Sequence, residues 1–332
     1  MKKYNNKKKY NLAIIFSILL FLTSCGLVKD GGVSDSFSTI HTGTEGLYME
    51  FMKGSPPKEV YQNGLVNFNI MLENKGAYGI KKGFLSFGYD EDYFELVKGE
   101  EKLDFTKDEK DNVLEGRSKE NLKGERRFIV YQFKAKQIDM QSETHTSDFA
   151  LTSCYEYQTT TTQQVCIDTN YYELKPIIEQ CKVKDISLNS QGAPVALTKI
   201  EGQILAHADE SKIKPQFVIY ISNKGKGEVI DSDKVEEACS SSSLNYVDIN
   251  TIKISAFLGD KQLDCKPKKN PDSKEMEGYI KLKKDQDFVR CSFDEGISTG
   301  VSPYLTSLSV KMDYGYTFSE SKEVMIKKEK LY

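Results

Sequence analysis

The chain has no tryptophan, only three histidines and only eight prolines in 332 residues. Without tryptophan no buried indole can pack against a disulfide in a core, a common centre of exported β-sandwiches. His41, His145 and His207 stand in no catalytic pattern. There is no Gly-x-Ser-x-Gly, no His-Glu-x-x-His and no phosphate-binding glycine loop. No Cys-x-x-Cys occurs and no histidine lies near a cysteine pair, which argues against zinc. Asn-x-Ser/Thr acceptors are absent as well. The expectation is a chain with no catalytic residues, no metal and no cofactor. A membrane-spanning helix needs about 20 apolar residues; the one strongly apolar run, residues 12–22 (LAIIFSILLFL), is too short.

That run has a context. Lys2, Lys3, Lys7, Lys8 and Lys9 precede it with no acidic residue, and Leu22-Thr23-Ser24-Cys25 ends it. A basic start followed by a short apolar stretch is the layout of an export signal. The four closing residues resemble the lipobox of bacterial and some archaeal lipoproteins. The resemblance implies that residues 1–24 are a signal peptide and that Cys25 is acylated and becomes the new N-terminus. The protein is then held to the membrane by lipid, on the outer side of a prokaryotic cell envelope. Residues 25–44, rich in Gly, Ser and Thr, read as a flexible tether. Without the five leader lysines the balance is 41 basic to 49 acidic residues, a net charge of −8. Nucleic acid, which needs clustered Lys and Arg, is not an expected partner.

Six cysteines remain: Cys154, Cys166, Cys181, Cys239, Cys265 and Cys291. An even number in an exported chain is the arithmetic of three disulfides. Cys154 and Cys166 flank a Thr/Gln run at residues 158–164. If that run is the centre of a hairpin near Thr160, Cys154 faces Cys166, and a cross-strand bridge fits both register and face. Cys265 with Cys291 is the next pairing, because both fall on strands. Cys181 with Cys239 follows by elimination.

A short repeat organises the rest. Residues 68–76 read FNIMLENKG and residues 217–225 read FVIYISNKG, 149 positions apart. Phe68, Ile70 and Leu72 alternate, as do Phe217, Ile219 and Ile221, which predicts half-buried strands. The Asn-Lys-Gly that follows supplies residues able to take positive φ, so each strand is expected to end in a tight turn or loop entry. Similar alternation recurs at Ile129–Tyr131–Phe133–Ala135, at Ile252–Ile254–Ala256, at Val289–Cys291–Phe293 and at Leu308–Val310–Met312–Tyr314. Residues 106–127 are charged and read as a long loop. Many short strands without a helical period predict an all-β protein of two antiparallel, immunoglobulin-like sandwiches, at residues 45–180 and 181–332.

Pro56-Pro57, Gly64, the Phe-x-Ile strand and Asn74-Lys75-Gly76 look like CARDB-type, cell-adhesion-related modules of prokaryotic surface proteins. The second copy keeps residues 217–225 with Pro194 upstream. This resemblance implies fold and location, and transfers no activity.

Two further groups bear on binding. Asp90-Glu91-Asp92 follows a strand, but its spacing matches no calcium loop and a solvated turn is the default. Tyr155, Tyr157, Tyr171 and Tyr172 lie around the expected hairpin and form a candidate binding patch for a surface protein or glycan, although tyrosine is also a good strand residue. The resulting expectation is a non-catalytic interaction, adhesion or scaffold module. Its rivals are a solute- or glycan-binding accessory lipoprotein, marked by an apolar concave pocket, and a secreted hydrolase, marked by clustered titratable groups around a histidine.

Overall fold

A computed structural model describes residues 40–107, 112–170, 181–240 and 243–329. The expected signal segment with Cys25, most of the expected tether, and Tyr171 and Tyr172 lie outside the described residues.

Period-two segments become strands with their apolar sets turned inward. In β3 (Leu65–Asn74), Val66, Phe68, Ile70 and Leu72 are fully buried; in β11 (Lys212–Asn223), Phe217, Ile219 and Ile221 are buried. A strand that buries one face needs a second sheet against it, so the strands stack in layers. β3 lies in a four-stranded sheet with β1 (Leu47–Phe51), β7 (Arg126–Ala135) and β5 (Phe94–Lys98), in the order β1-β3-β7-β5. β11 lies in a second sheet with β10 (Val195–Ala206), β17 (Gln286–Ser292), β15 (Asp264–Lys266), β9 (Ile186–Ser187) and β18 (Ile297–Ser298).

The third sheet is common to both halves. Its spine is β8 (Thr144–Ile167) and β19 (Tyr304–Lys327), each 24 residues long and paired antiparallel from end to end. Beside β8 lie β4 (Gly83–Gly88) and β6 (Lys102–Asp104); beside β19 lie β13 (Thr251–Leu258) with β14 (Lys261–Gln262) and β16 (Gly278–Lys281), then β12 (Glu228–Ile230), and finally β2 (Glu59–Tyr61), which runs parallel to it. Both smaller sheets cover the same face of this spine. On that face Phe149, Leu151, Tyr155 and Tyr157 of β8, and Leu308, Val310, Met312 and Tyr314 of β19, are buried in one continuous core. Phe68 and Phe133 meet Phe87 and Phe149 across the sheets, with ring centroids 4.5–5.2 Å apart.

The protein is all-β. Its halves share the long sheet, so residues from Ile40 onward form one compact unit. That unit begins earlier than residue 45: Ile40 is buried, and the Gly43 N–H donates to Ser190 Oγ at 2.8 Å.

The expected hairpin at Thr160 is not there. Residues 158–164 run straight through β8, because β19 supplies a partner to every residue from Gln158 (opposite Asp313) to Gln164 (opposite Ser307). Cys154 and Cys166 therefore sit about 40 Å apart on one extended strand and cannot bond to each other. Cys154 instead joins Cys239, and Cys166 joins Cys181, so the pairing reached by elimination falls with the hairpin. The third bridge links Cys265 to Cys291, the pair expected from the sequence, across β15 and β17. Cys239 ends a helical turn, Val235–Ala238, that crosses the outer face of the long sheet. Gly315 makes room for that crossing: a Cβ there would stand 2.7 Å from both Ile230 and Val235.

Candidate functional site

Four tyrosines mark the point where the halves meet. Tyr157 pairs with Tyr314 and Tyr155 with Tyr316 across β8 and β19. The Tyr157 hydroxyl accepts from the Tyr78 N–H (3.3 Å) and lies 3.4 Å from Asn74 Oδ1. The Tyr316 hydroxyl accepts from the Gly227 N–H (2.8 Å) and donates to Asn223 Oδ1 (3.1 Å). Tyr155 and Tyr314 accept the N–H of Leu47 and of Val195, the first residues of β1 and β10. The 149-residue repeat is thus an internal near-two-fold relation, with Tyr157 matching Tyr316 and Tyr155 matching Tyr314.

This layer corrects two expectations. Tyr155 and Tyr157 are core residues, 0% and 4% exposed, and not a surface patch. Burial holds the phenols of Tyr155 and Tyr314 well above the ordinary value and pushes Tyr316 up to about 12. The repeat's glycines also serve another purpose than turning the chain. Neither Gly76 nor Gly225 takes a positive φ. A Cβ on Gly76 would lie 1.8 Å from Tyr157 Oη, and one on Gly225 would lie 2.2 Å from Tyr316 Oη.

The two halves differ where the strand edges emerge. Beyond Tyr155, β8 has lost β4 as a neighbour, and Tyr78 caps its edge at one residue: the Tyr78 hydroxyl donates to the Thr160 carbonyl (2.8 Å) and accepts the Thr160 N–H (2.9 Å), while among the described residues no strand pairs with residues 161–167 on that side. Along β19 the position matching Thr160 is Ser319, and the position matching Tyr78 is Gly227, which has no ring to offer. A Cβ on Gly227 would meet the Thr317 carbonyl oxygen at 2.2 Å. On the side away from β8, β19 pairs with β12 as far as Thr317 and next with β2 from Met325. Among the described residues no strand pairs with residues 318–324 on that side. Antiparallel strands direct alternate residues to opposite sides. Lys311, opposite Thr160, points away from β8, and so do Ser319, Ser321 and Glu323. Their main-chain groups face the gap.

The gap opens into a trough. Its other wall is the chain from Gly43 into the edge strand β1, and its upper part encloses about 870 Å³ between Leu47, Tyr48 and Met49 on one side and Tyr316, Phe318 and Glu320 on the other. A second depression of about 650 Å³ lies farther along, between Phe51, Pro56, Pro57 and Lys58 and residues Lys322 and Glu323. Charge is unevenly spread along it. Glu45, Glu228 and Glu320 line the upper end beside Lys224 and Lys226, whereas Lys53, Lys58 and Lys322 line the lower end with Glu59 and Glu323. There Glu59 is occupied by Lys327 at 2.5 Å. Tyr48 donates to Glu50 at 2.6 Å and carries the Lys75 ammonium 3.3 Å above its ring. The Glu50 hydrogen bond, with burial and the charges of Glu50, Glu45 and Glu320 behind it, pushes the Tyr48 phenol up to about 12.

The histidines lie on separate elements. His41 packs edge-on to Tyr78, His145 stacks on Tyr93 at 3.5 Å, and His207 Nδ1 accepts the Asp209 N–H. Asp90 closes a turn by accepting the N–H of Asp92 and of Phe94. No cluster of three or more His, Cys, Asp or Glu able to hold a metal ion occurs among the described residues. Three disulfides point to an oxidising, extracytoplasmic compartment. Among the described residues no helix is long and apolar enough to cross a membrane.

No protein-family model matches the chain, and no curated protein is similar to it. Among solved structures, a serine-rich repeat adhesion glycoprotein from Streptococcus agalactiae is similar at 13% identity over 88% of this chain and 98% of that chain, with a TM-score of 0.17. A likeness of that size carries no functional argument.

The trough was not legible in the sequence. Its signal is a difference between the repeats, Tyr78 against Gly227, which acquires meaning only once both are seen beside a strand edge.

Proposed function

We propose that this chain is a non-catalytic interaction protein of a prokaryotic cell envelope, held to the membrane by lipid on Cys25, which binds its partner in the trough between β1 and β19. The observation that carries the binding part is a difference between two matching points of the strand edges: at Thr160 of β8 the Tyr78 hydroxyl caps the main chain, whereas at Ser319 of β19 the edge opens into a lined depression. Rigid sheets on both sides suit a site that must keep its shape. The disulfides support the location, and the order of lysines, apolar run and Leu-Thr-Ser-Cys supports the anchor. The resemblance of residues 56–76 to cell-adhesion-related surface modules belongs to the same reading.

Labelling with a radioactive fatty acid tests the anchor in the native host or a near relative. Wild-type protein should take up label and fractionate with membranes, while Cys25→Ser should take up none. Equal labelling of the two removes lipid at Cys25 from the proposal.

A solute- or glycan-binding accessory draws on one specific observation, the presence of Tyr48 and Phe318 in a depression large enough for a small molecule. Saccharide binding abolished by Tyr48→Ala, in a protein that ignores peptides, would favour that reading.

A further inference from the structure

The trough has a feature that a general binding surface does not need, namely a stretch of strand whose hydrogen-bonding edge is unspent among the described residues. Between the Thr317 and Met325 pairings β19 runs about 26 Å, room for a strand of about five residues. Ser319 and Ser321 offer N–H and C=O groups into this gap. Glu323 lies at its lower lip beside Pro56 and Pro57, which have no N–H with which to pair. Unpaired edges are templates for an added strand, and proteins ordinarily cover or blunt them. The other half of this molecule does so at one residue: the Tyr78 hydroxyl satisfies both main-chain groups of Thr160, the position matching Ser319. Here a foreign donor and acceptor can do what Tyr78 does there.

We propose that residues 318–323 of β19 are the docking site for an extended peptide segment of a partner protein, which adds as a strand between β12 and β2. The segment turns an apolar side chain toward Phe318 and Phe51 and places an acidic residue near Lys53, Lys58 and Lys322. Strand addition takes affinity from main-chain bonds and specificity from alternate side chains. The inner face of the gap is partly apolar, and with Glu59 paired to Lys327 its lower end sets Lys53, Lys58 and Lys322 against Glu323, which leaves it net positive. The outer face is small and polar, with Ser319 bonded to Thr152 at 2.7 Å, so side chains on that side of the added strand stay in solvent. This inference rests on the trough being the interaction site and adds to it what binds and how.

A displayed library of short random peptides, selected against the full chain, tests it. Selected peptides should alternate apolar residues and carry an acidic residue. Ser321→Pro removes an N–H from the edge and should weaken binding by about tenfold or more, the worth of one or two main-chain bonds. Ser321→Ala, which keeps the main chain, should leave binding unchanged. Lys58→Glu should weaken it severalfold. Amide exchange supplies a second readout that needs no proline: Ser319 and Ser321 should exchange freely alone and become protected with peptide bound. Peptides sensitive to Tyr48→Ala but indifferent to Ser321→Pro, with no protection at Ser319, would overturn strand addition while leaving the trough as the site. Peptides indifferent to all these changes would overturn both. Self-association abolished by Ser321→Pro, with no peptide selected, would assign the edge to a second copy of this chain and overturn a foreign partner.

Discussion

Tyr157 and Tyr316 stand at equivalent points of the two halves, and each aims its hydroxyl at the place where a Cβ would be if the glycine of its own Asn-Lys-Gly segment were any other residue. The contact ties the end of an outer strand to the long sheet beneath it.

Gly76→Ala should therefore destabilise the protein by about 1–3 kcal/mol, the usual range for overpacking a full site. The buried Tyr157 ring has no room to swing away, and the carbonyl oxygens of Glu45 and Gly192 close in at 2.9 Å. Tyr157→Phe in the same chain removes the atom 1.8 Å away and should recover part of the loss. Chemical denaturation of the two single variants and the double variant reads the coupling. Additive effects would show that the ring does not constrain position 76.

The asparagines of the repeat are its second fastening. Asn74 Nδ2 donates to the carbonyls of Tyr78 and Leu114 at 2.8 and 2.9 Å, and its Oδ1 accepts the Gly76 N–H. Asn223 donates to the Gly227 carbonyl and accepts the Gly225 N–H. Asn74→Asp would set a carboxylate against two carbonyl oxygens at a fully buried position. It should cost about 2–4 kcal/mol at neutral pH, and Asn223→Asp, partly exposed and facing one carbonyl, about half as much. Equal losses in thermal unfolding would contradict the difference in burial.

Peptide mapping without reduction should find links 154–239, 166–181 and 265–291. By chain entropy, a bridge closing 85 residues is worth more than one closing 15, about 4–5 against about 3 kcal/mol. Replacing Cys154 and Cys239 together by alanine should thus lower the denaturation midpoint further than replacing Cys166 and Cys181. A 154–166 link would require breaking β8 in two.

Alkaline pH should unfold this protein cooperatively. Burial raises the phenol pKa values of Tyr155, Tyr314 and Tyr316 in the folded state, so the folded chain keeps protons that the unfolded chain loses above about pH 10. Their contribution is complete below that pH and is lost as pH rises toward the folded values, at about 1.4 kcal/mol per pH unit for each tyrosine. Tyr316→Phe should flatten the fall, since its phenol contributes up to about pH 12. Tyrosinate absorbance and loss of strand signal should rise together. Full ionisation of the tyrosines in a folded protein would refute the tie between burial and alkaline stability.

Alternation of apolar side chains was enough to place the inward faces of β3, β7, β11, β13 and β19, because a strand's side-chain period is a local property of the backbone. The repeat at 149 residues disclosed two related halves for the same reason, since equal local sequences make equal strands. Cys265 and Cys291 were also readable as a pair, each on a recognisable strand. Residues 158–164 were not. A run of threonine and glutamine has no apolar period to announce a strand, and it extends because β19, over 140 residues away in the chain, satisfies its main-chain groups. The disulfide partners of Cys154 and Cys166 changed with it. Tyrosine is equally at home in a core and at a surface, so only packing decided that Tyr155 and Tyr157 are buried. Glycine in Asn-Lys-Gly suggested a backbone angle, whereas the assembled sheets required the absence of a side chain. What the residues say by themselves concerns their own strand. Which edges are closed, which thiols meet and which edge stays open depend on strands that approach only when the chain has folded.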